Sequence, residues 1–130
     1  FTFGFVSGDF TNAAGAPNNS VYFKNNTADS DATVKFVTYN GATPNVIDTT
    51  IAVVADDEVI MHFQSEAGGT LWRWAIWNLT SGLSATGTTS TSIPALATTL
   101  FMQLVLFTNE NVAKHFLTPQ DLVVGGFIDP

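Results

Sequence analysis

The 130-residue chain has no cysteine, which excludes disulfides, thiol nucleophiles and thiolate metal sites. Cations are scarce too. Four Lys and Arg stand against eleven Asp and Glu, giving a net charge of −7. That is the wrong sign for binding nucleic acid or an anionic membrane surface. Charged residues make up 12% of the chain, about half the usual share in soluble domains. Together with a positive mean hydropathy, this shortage leads us to expect that part of the outside is covered in an assembly. No apolar run approaches the ~20 residues that a membrane-spanning helix needs; the longest, residues 100–107, is strand-sized. There is no Gly-x-Ser-x-Gly elbow, and the two histidines, His62 and His115, lie on different segments. No serine-based triad or three-ligand metal site is apparent.

What the chain does have is aromatic, alternating and punctuated by turns. A length of 130 residues suits one domain, 1–130, large enough for a core of its own. The chain opens without a methionine, directly in the strand-like Phe1-Thr2-Phe3-Gly4-Phe5-Val6, so we expect a processed product or a piece of a longer chain. Further strand-like segments fall at residues 20–24, 32–39, 49–54, 58–64 and 98–108, with short ones at 112–117 and 122–128. Asn40-Gly41 and Pro44 mark a turn, as does Asp56-Asp57. In 58–64, Val59, Met61 and Phe63 face one way, and Glu58, Ile60, His62 and Gln64 the other, the pattern of a half-buried antiparallel strand. Residues 80–92 are rich in Thr, Ser and Gly and are expected to be too polar for the core. The one helix candidate, 93–99, is shortened by Pro94. Eight or nine short strands without an amphipathic helix predict an all-β, two-sheet antiparallel jelly roll or sandwich.

All three tryptophans fall within six residues. As a strand, this segment puts Trp72, Trp74 and Ile76 on one face and Leu71, Arg73, Ala75, Trp77 and Leu79 on the other. Both faces are largely apolar, so something is expected to cover the second one. Core packing on both faces, contact with another subunit, and a platform for a sugar ring are all compatible with the pattern. Trp72, Arg73, Trp74 and Trp77 are accordingly the candidate interface or glycan-contact residues, with Phe101 and Phe107 next.

Other candidate sites are weaker. Asp56 and Glu58 would point the same way in a strand, as a glycosidase pair must, but they stand where a hairpin turns and read as solvated carboxylates. Residues 25–31, with Asp29 and Asp31, offer the hard oxygen ligands calcium prefers, yet lack the length, Gly and closing Glu of an EF-hand loop. Asn18, Asn25 and Asn78 each begin an Asn-x-Ser/Thr triplet. No catalytic, cofactor-binding or metal-binding residue is assigned.

The order of segments resembles the concanavalin A-like (lectin/glucanase, laminin-G-like) β-sandwich domains of tailed-bacteriophage structural proteins. The likeness is carried by FGF at 3–5, GAPNNSVYFKN at 15–25, ATVKFVTYNG at 32–41, DTTIAVVADDEVIMHFQSE at 48–66, TSIPAL at 91–96 and GGFID at 125–129. It implies a concanavalin A-like fold and a virion component: a capsid decoration or cement protein, a head fibre or a tail fibre. The implied partners are copies of the chain itself, as a homo-oligomer with a trimer favoured, together with the major capsid protein or other virion proteins. A host glycan is the alternative partner, as for a lectin-like adsorption domain. The Glu-x-Asp-x-x-Glu or Glu-x-Asp-x-Glu strand of glucanases on this fold is absent, and legume-lectin metal ligands have no counterpart. The resemblance therefore implies a protein that is not an enzyme.

Overall fold

In a computed structural model of the chain, the described residues are 1–7, 19–26, 29–66, 68–95, 98 and 100–105, the last five by backbone alone. They form eight strands: β1 (Thr2–Val6), β2 (Ser20–Lys24), β3 (Lys35–Tyr39), β4 (Asn45–Asp48), β5 (Val59–Ser65), β6 (Trp72–Asn78), β7 (Leu83–Thr89) and β8 (Phe101–Val105). Every pairing is antiparallel, in a five-stranded sheet ordered β4-β3-β2-β1-β8 and a three-stranded sheet ordered β5-β6-β7. No α-helix occurs among the described residues. The described residues form an all-β, two-sheet sandwich.

Register explains why the sheets meet where they do. Phe3 pairs with Phe23, Phe23 with Phe36 and Phe36 with Ile47, so large side chains line up in one row across the five-stranded sheet. Opposite stands Phe63, paired with Trp74. The Phe63 ring meets Phe3, Phe5, Phe23 and Phe36 with centroids 5.8, 5.3, 5.9 and 6.2 Å away. Trp74 stacks on Phe36 at 5.8 Å and meets Phe23 edge-on at 6.5 Å. Val21, Val34, Ile51, Trp72 and Ile76 complete the buried cluster. Such aromatic pairs contribute about 0.5–1.5 kcal/mol each beyond the burial of their area. The five-stranded sheet is buried on its second face as well, where Val6, Tyr22 and Val37 are between 0% and 6% exposed.

Polar groups stitch the sheets together at the margins. Asn45 on β4 donates to Thr38 Oγ1 on β3 (3.3 Å) and to Thr89 Oγ1 on β7 (3.0 Å). Thr38 in turn donates to the Thr91 carbonyl at 2.7 Å. A buried hydroxyl or amide left without a partner is costly, and here each member answers another.

Three expectations from the sequence are corrected. Residues 49–54 are not a strand. Asp48 accepts from the Thr50 amide at 2.8 Å, and Thr50 takes a φ of 64°, so the chain turns out of the sheet after β4. The crossover that follows is held by Val34, whose amide donates to the Ile51 carbonyl and whose carbonyl accepts from the Thr49 amide and hydroxyl. Residues 80–92, expected to be too polar for the core and not counted among the strands, contain β7. Its outward positions are Ser84, Thr86 and Thr88; on the inward side Gly87 carries no side chain because the Trp74 ring occupies the space a Cβ would take. The helix candidate at 93–99 has no helix among its described residues; Thr98 closes a single turn to the Ala95 carbonyl at 2.8 Å. The short segments expected at 112–117 and 122–128 lie outside the described residues.

Candidate functional site

Antiparallel register sets the outer face of the three-stranded sheet in three rows. Gln64, Arg73 and Thr88 form the first, His62, Ala75 and Thr86 the second, and Ile60, Trp77 and Ser84 the third. Ala75 is the smallest residue at the centre, so the sheet dips there. The dip is an open depression of about 280 Å³, lined by His62, Gln64, Arg73, Trp74, Ala75, Thr86, Gly87 and Thr88. Among the described residues, the side chains of His62, Gln64, Thr86 and Thr88 make no hydrogen bond to the protein. Arg73 is held: its Nε donates to Glu66 Oε1 at 2.8 Å, and Nη2 reaches the same oxygen. Both partners are substantially exposed, so the pair orients the guanidinium and contributes little stability, about 0–1 kcal/mol.

The third row begins an apolar end. Trp77 is 37% exposed and Ile60 49%, and beyond them Leu79 and Leu83 are 49% and 54% exposed. Ile60, Trp77 and Leu79 therefore put three large apolar side chains on the outer side near the β6–β7 turn, whereas Leu83, the register partner of the buried Asn78, belongs to the opposite parity. Single exposed apolar residues are ordinary, whereas a group of this kind marks a contact surface.

The sequence candidates divide between core and surface. Trp72 and Trp74 are 8% and 6% exposed and belong to the core between the sheets. Arg73 and Trp77 stand on the outer face. Phe101 opens β8, where only its backbone is described, and Phe107 lies outside the described residues, as does His115. The acidic turns have structural partners. Lys24 Nζ sits 2.7 Å from Asp29 and 3.5 Å from Asp31, filling with an ammonium the place considered for a cation. This pairing holds the Asp29 carboxyl below its ordinary range, the hydrogen bond from Lys24 being the largest cause. No group of three or more His, Asp or Glu able to hold a metal occurs among the described residues. Asp56 is exposed, at a φ of 68°, in the turn before β5.

No protein-family model, curated protein or solved structure matches this chain.

Geometry thus carries the functional argument. Alternation in the sequence puts Ile60, His62 and Gln64 on one face; Thr86 and Thr88 join them from a strand that its Thr- and Gly-rich composition hides. Asp57 was also missed as a structural residue: its Oδ2 accepts from the Val54 amide at 2.9 Å and from Asn78 Nδ2 at 2.8 Å. Lys24, Lys35 and Arg73, the basic residues among those described, each face a carboxylate. The outer sheet face therefore offers hydrogen-bonding groups and apolar area, with no unpaired Lys or Arg among the described residues.

Proposed function

We propose that this protein is a non-enzymatic structural component of a tailed-phage virion, a capsid decoration or cement protein. It binds copies of itself and the shell through the apolar end of its three-stranded sheet. The observation that carries this reading is the exposed apolar set Ile60, Trp77 and Leu79 on the outer side of the three-stranded sheet, on a chain short of charge. The phage setting comes from the resemblance in segment order. Contacts made only in the assembled particle stabilise that state by mass action. A tryptophan in the middle of such a contact typically contributes more than ~2 kcal/mol.

The test is light scattering at two concentrations on the wild type and on Trp77→Ala. A stable oligomer, a trimer above all, that falls to a folded monomer in the variant supports the reading. A wild-type monomer that does not bind shells of the major capsid protein defeats it. Trp77 lies outside the core cluster, so the variant is expected to keep the native circular-dichroism spectrum.

A second reading is favoured by the depression over Ala75. Uncommitted His62, Gln64, Thr86 and Thr88 beside an exposed indole suit the hydroxyls and apolar face of a sugar ring, as in a glycan-binding adsorption domain. Glycan-array binding that is lost in both Trp77→Ala and His62→Ala would raise this reading above the first.

A further inference from the structure

Among the ten asparagines, one precedes a glycine: Asn40-Gly41. The pair occupies the turn between β3 and β4, and both residues are exposed. Asn40 Oδ1 accepts a hydrogen bond from the Ala42 amide at 3.2 Å, which folds the carboxamide back over the chain. The Gly41 nitrogen lies in the ring this bond closes, one residue from the side chain that reaches past it. Gly41 has a φ of 90°, and among the described residues its N–H donates no hydrogen bond. Without a Cβ, Gly41 leaves its own nitrogen unshielded.

These features assemble the parts of an intramolecular acyl transfer. The nucleophile is the backbone nitrogen that follows the carboxamide-bearing residue, its N–H is engaged by no described residue, and a backbone donor already rests on the oxygen that becomes negative. We propose that Asn40 deamidates spontaneously in the folded protein, through a succinimide formed with the Gly41 nitrogen. Hydroxide removes the Gly41 amide proton, and the nitrogen adds to Asn40 Cγ. The negative charge then falls on Oδ1, facing the Ala42 N–H. Collapse of this adduct breaks the Cγ–Nδ2 bond, and the nitrogen leaves as ammonia after taking a proton from water. Water next adds to either carbonyl of the five-membered ring and opens it, giving aspartate or isoaspartate. The net change is one water consumed and one ammonia released, with no oxidant or reductant.

The other described asparagines lack this arrangement. Asn45 lies in β4 before Val46, and Asn78 is buried before Leu79, with its amide nitrogen engaged twice. The consequence is local. Either product adds a negative charge to the turn, and isoaspartate also lengthens the main chain by one methylene beside β4, an edge strand of the five-stranded sheet.

The experiment is incubation of the folded protein in mildly alkaline buffer, followed by proteolysis and mass spectrometry. A protein isoaspartyl methyltransferase with labelled methyl donor reports the isoaspartate. The peptide containing Asn40 is expected to gain about one mass unit and to become a methyl acceptor, while peptides containing Asn45 and Asn78 stay unchanged. Asn40→Gln is expected to lose both signals, and Gly41→Ala most of each. The unfolded chain in urea serves as the reference. Conversion there without conversion in the folded protein overturns the proposal, because the turn would then be protecting Asn40. No conversion in either state, or conversion centred on another asparagine, overturns it as well.

Discussion

The indole of Trp74 occupies the space where a side chain at Gly87 would stand: a Cβ there would lie 2.6 Å from Cε2 and 2.9 Å from Nε1. The two residues are register partners on β6 and β7, so the largest side chain of the core depends on the absence of one across the strand boundary. Gly87→Ala is expected to destabilise the fold by about 1–3 kcal/mol, the usual range for overpacking. Urea unfolding followed by tryptophan fluorescence measures it. Gly4→Ala should cost more. A Cβ at Gly4 runs into the Val21 carbonyl and Tyr22 Cα, and backbone gives way less easily than a ring. Variants as stable as the wild type would mean that neither close approach constrains the fold.

Asn78 is 1% exposed and serves three neighbours. Its amide donates to the Ala52 carbonyl at 3.1 Å and to Asp57 at 2.8 Å, and its carbonyl accepts from the Ser81 amide at 3.0 Å. One side chain therefore ties the crossover, the turn before β5 and the β6–β7 turn together. Asn78→Ala is expected to cost about 2 kcal/mol, the penalty for stranding buried polar partners. Hydrogen exchange should show faster opening in residues 52–57 than in the wild type.

Asp48 is held near a pKa of about 2 by hydrogen bonds from Lys35, Thr33 and the Thr50 amide, in that order, with the Lys35 charge adding to them. A carboxyl with a depressed pKa in the folded state stabilises it above the unfolded value of 3.8, and that contribution fades as pH falls towards 2. The side chain is 54% exposed, so solvent screening keeps the effect small. Asp48→Asn is therefore expected to lower Tm slightly at neutral pH and to narrow the gap to wild type as the solution is acidified through that window. Thermal melts at several pH values read this directly.

The Tyr22 phenol is pushed up to about 12, chiefly by burial, with the carboxylates of Asp29 and Asp31 and then Tyr39 adding to it. A raised phenol pKa stabilises the fold fully below the unfolded value of 10.0, and the contribution is lost as pH rises towards 12. In a Tyr39→Phe variant, where Tyr22 is the remaining tyrosine, phenolate absorbance is expected to rise about two units later in the folded protein than in urea. Coincident titrations would place Tyr22 in water.

Alternation made much of the core legible. Phe3 and Phe5, then Val59, Met61 and Phe63, announced their inward face by spacing alone, and the structure packs them as that spacing requires. The tryptophan strand was legible in its parity but not in its neighbours. Trp72 and Trp74 turned out to be core and Trp77 surface, because the partner sheet covers one face of β6 and leaves the other exposed. Residues 49–54 misled because Ile51 is buried, 3% exposed, and Val53 packs on the core in strand-like alternation. Hydrogen bonds to Val34, fifteen or more residues earlier, decide that segment, and no local pattern carries them. β7 was hidden by its Thr-, Ser- and Gly-rich composition, and the role of Gly87 appears only beside Trp74. The depression over Ala75 depends on the register of three strands and could not be read from any one of them.

The burial of Asn78 has a consequence for maturation. Asn78-Leu79-Thr80 satisfies the acceptor pattern for N-glycosylation, but the nitrogen that would carry the oligosaccharide is sealed beneath the crossover. Sugar attachment and closure of this sheet are mutually exclusive events. In a secretory host the order of the two becomes a branch point: a chain that folds first is safe from the transferase, and a chain modified first is barred from the native state.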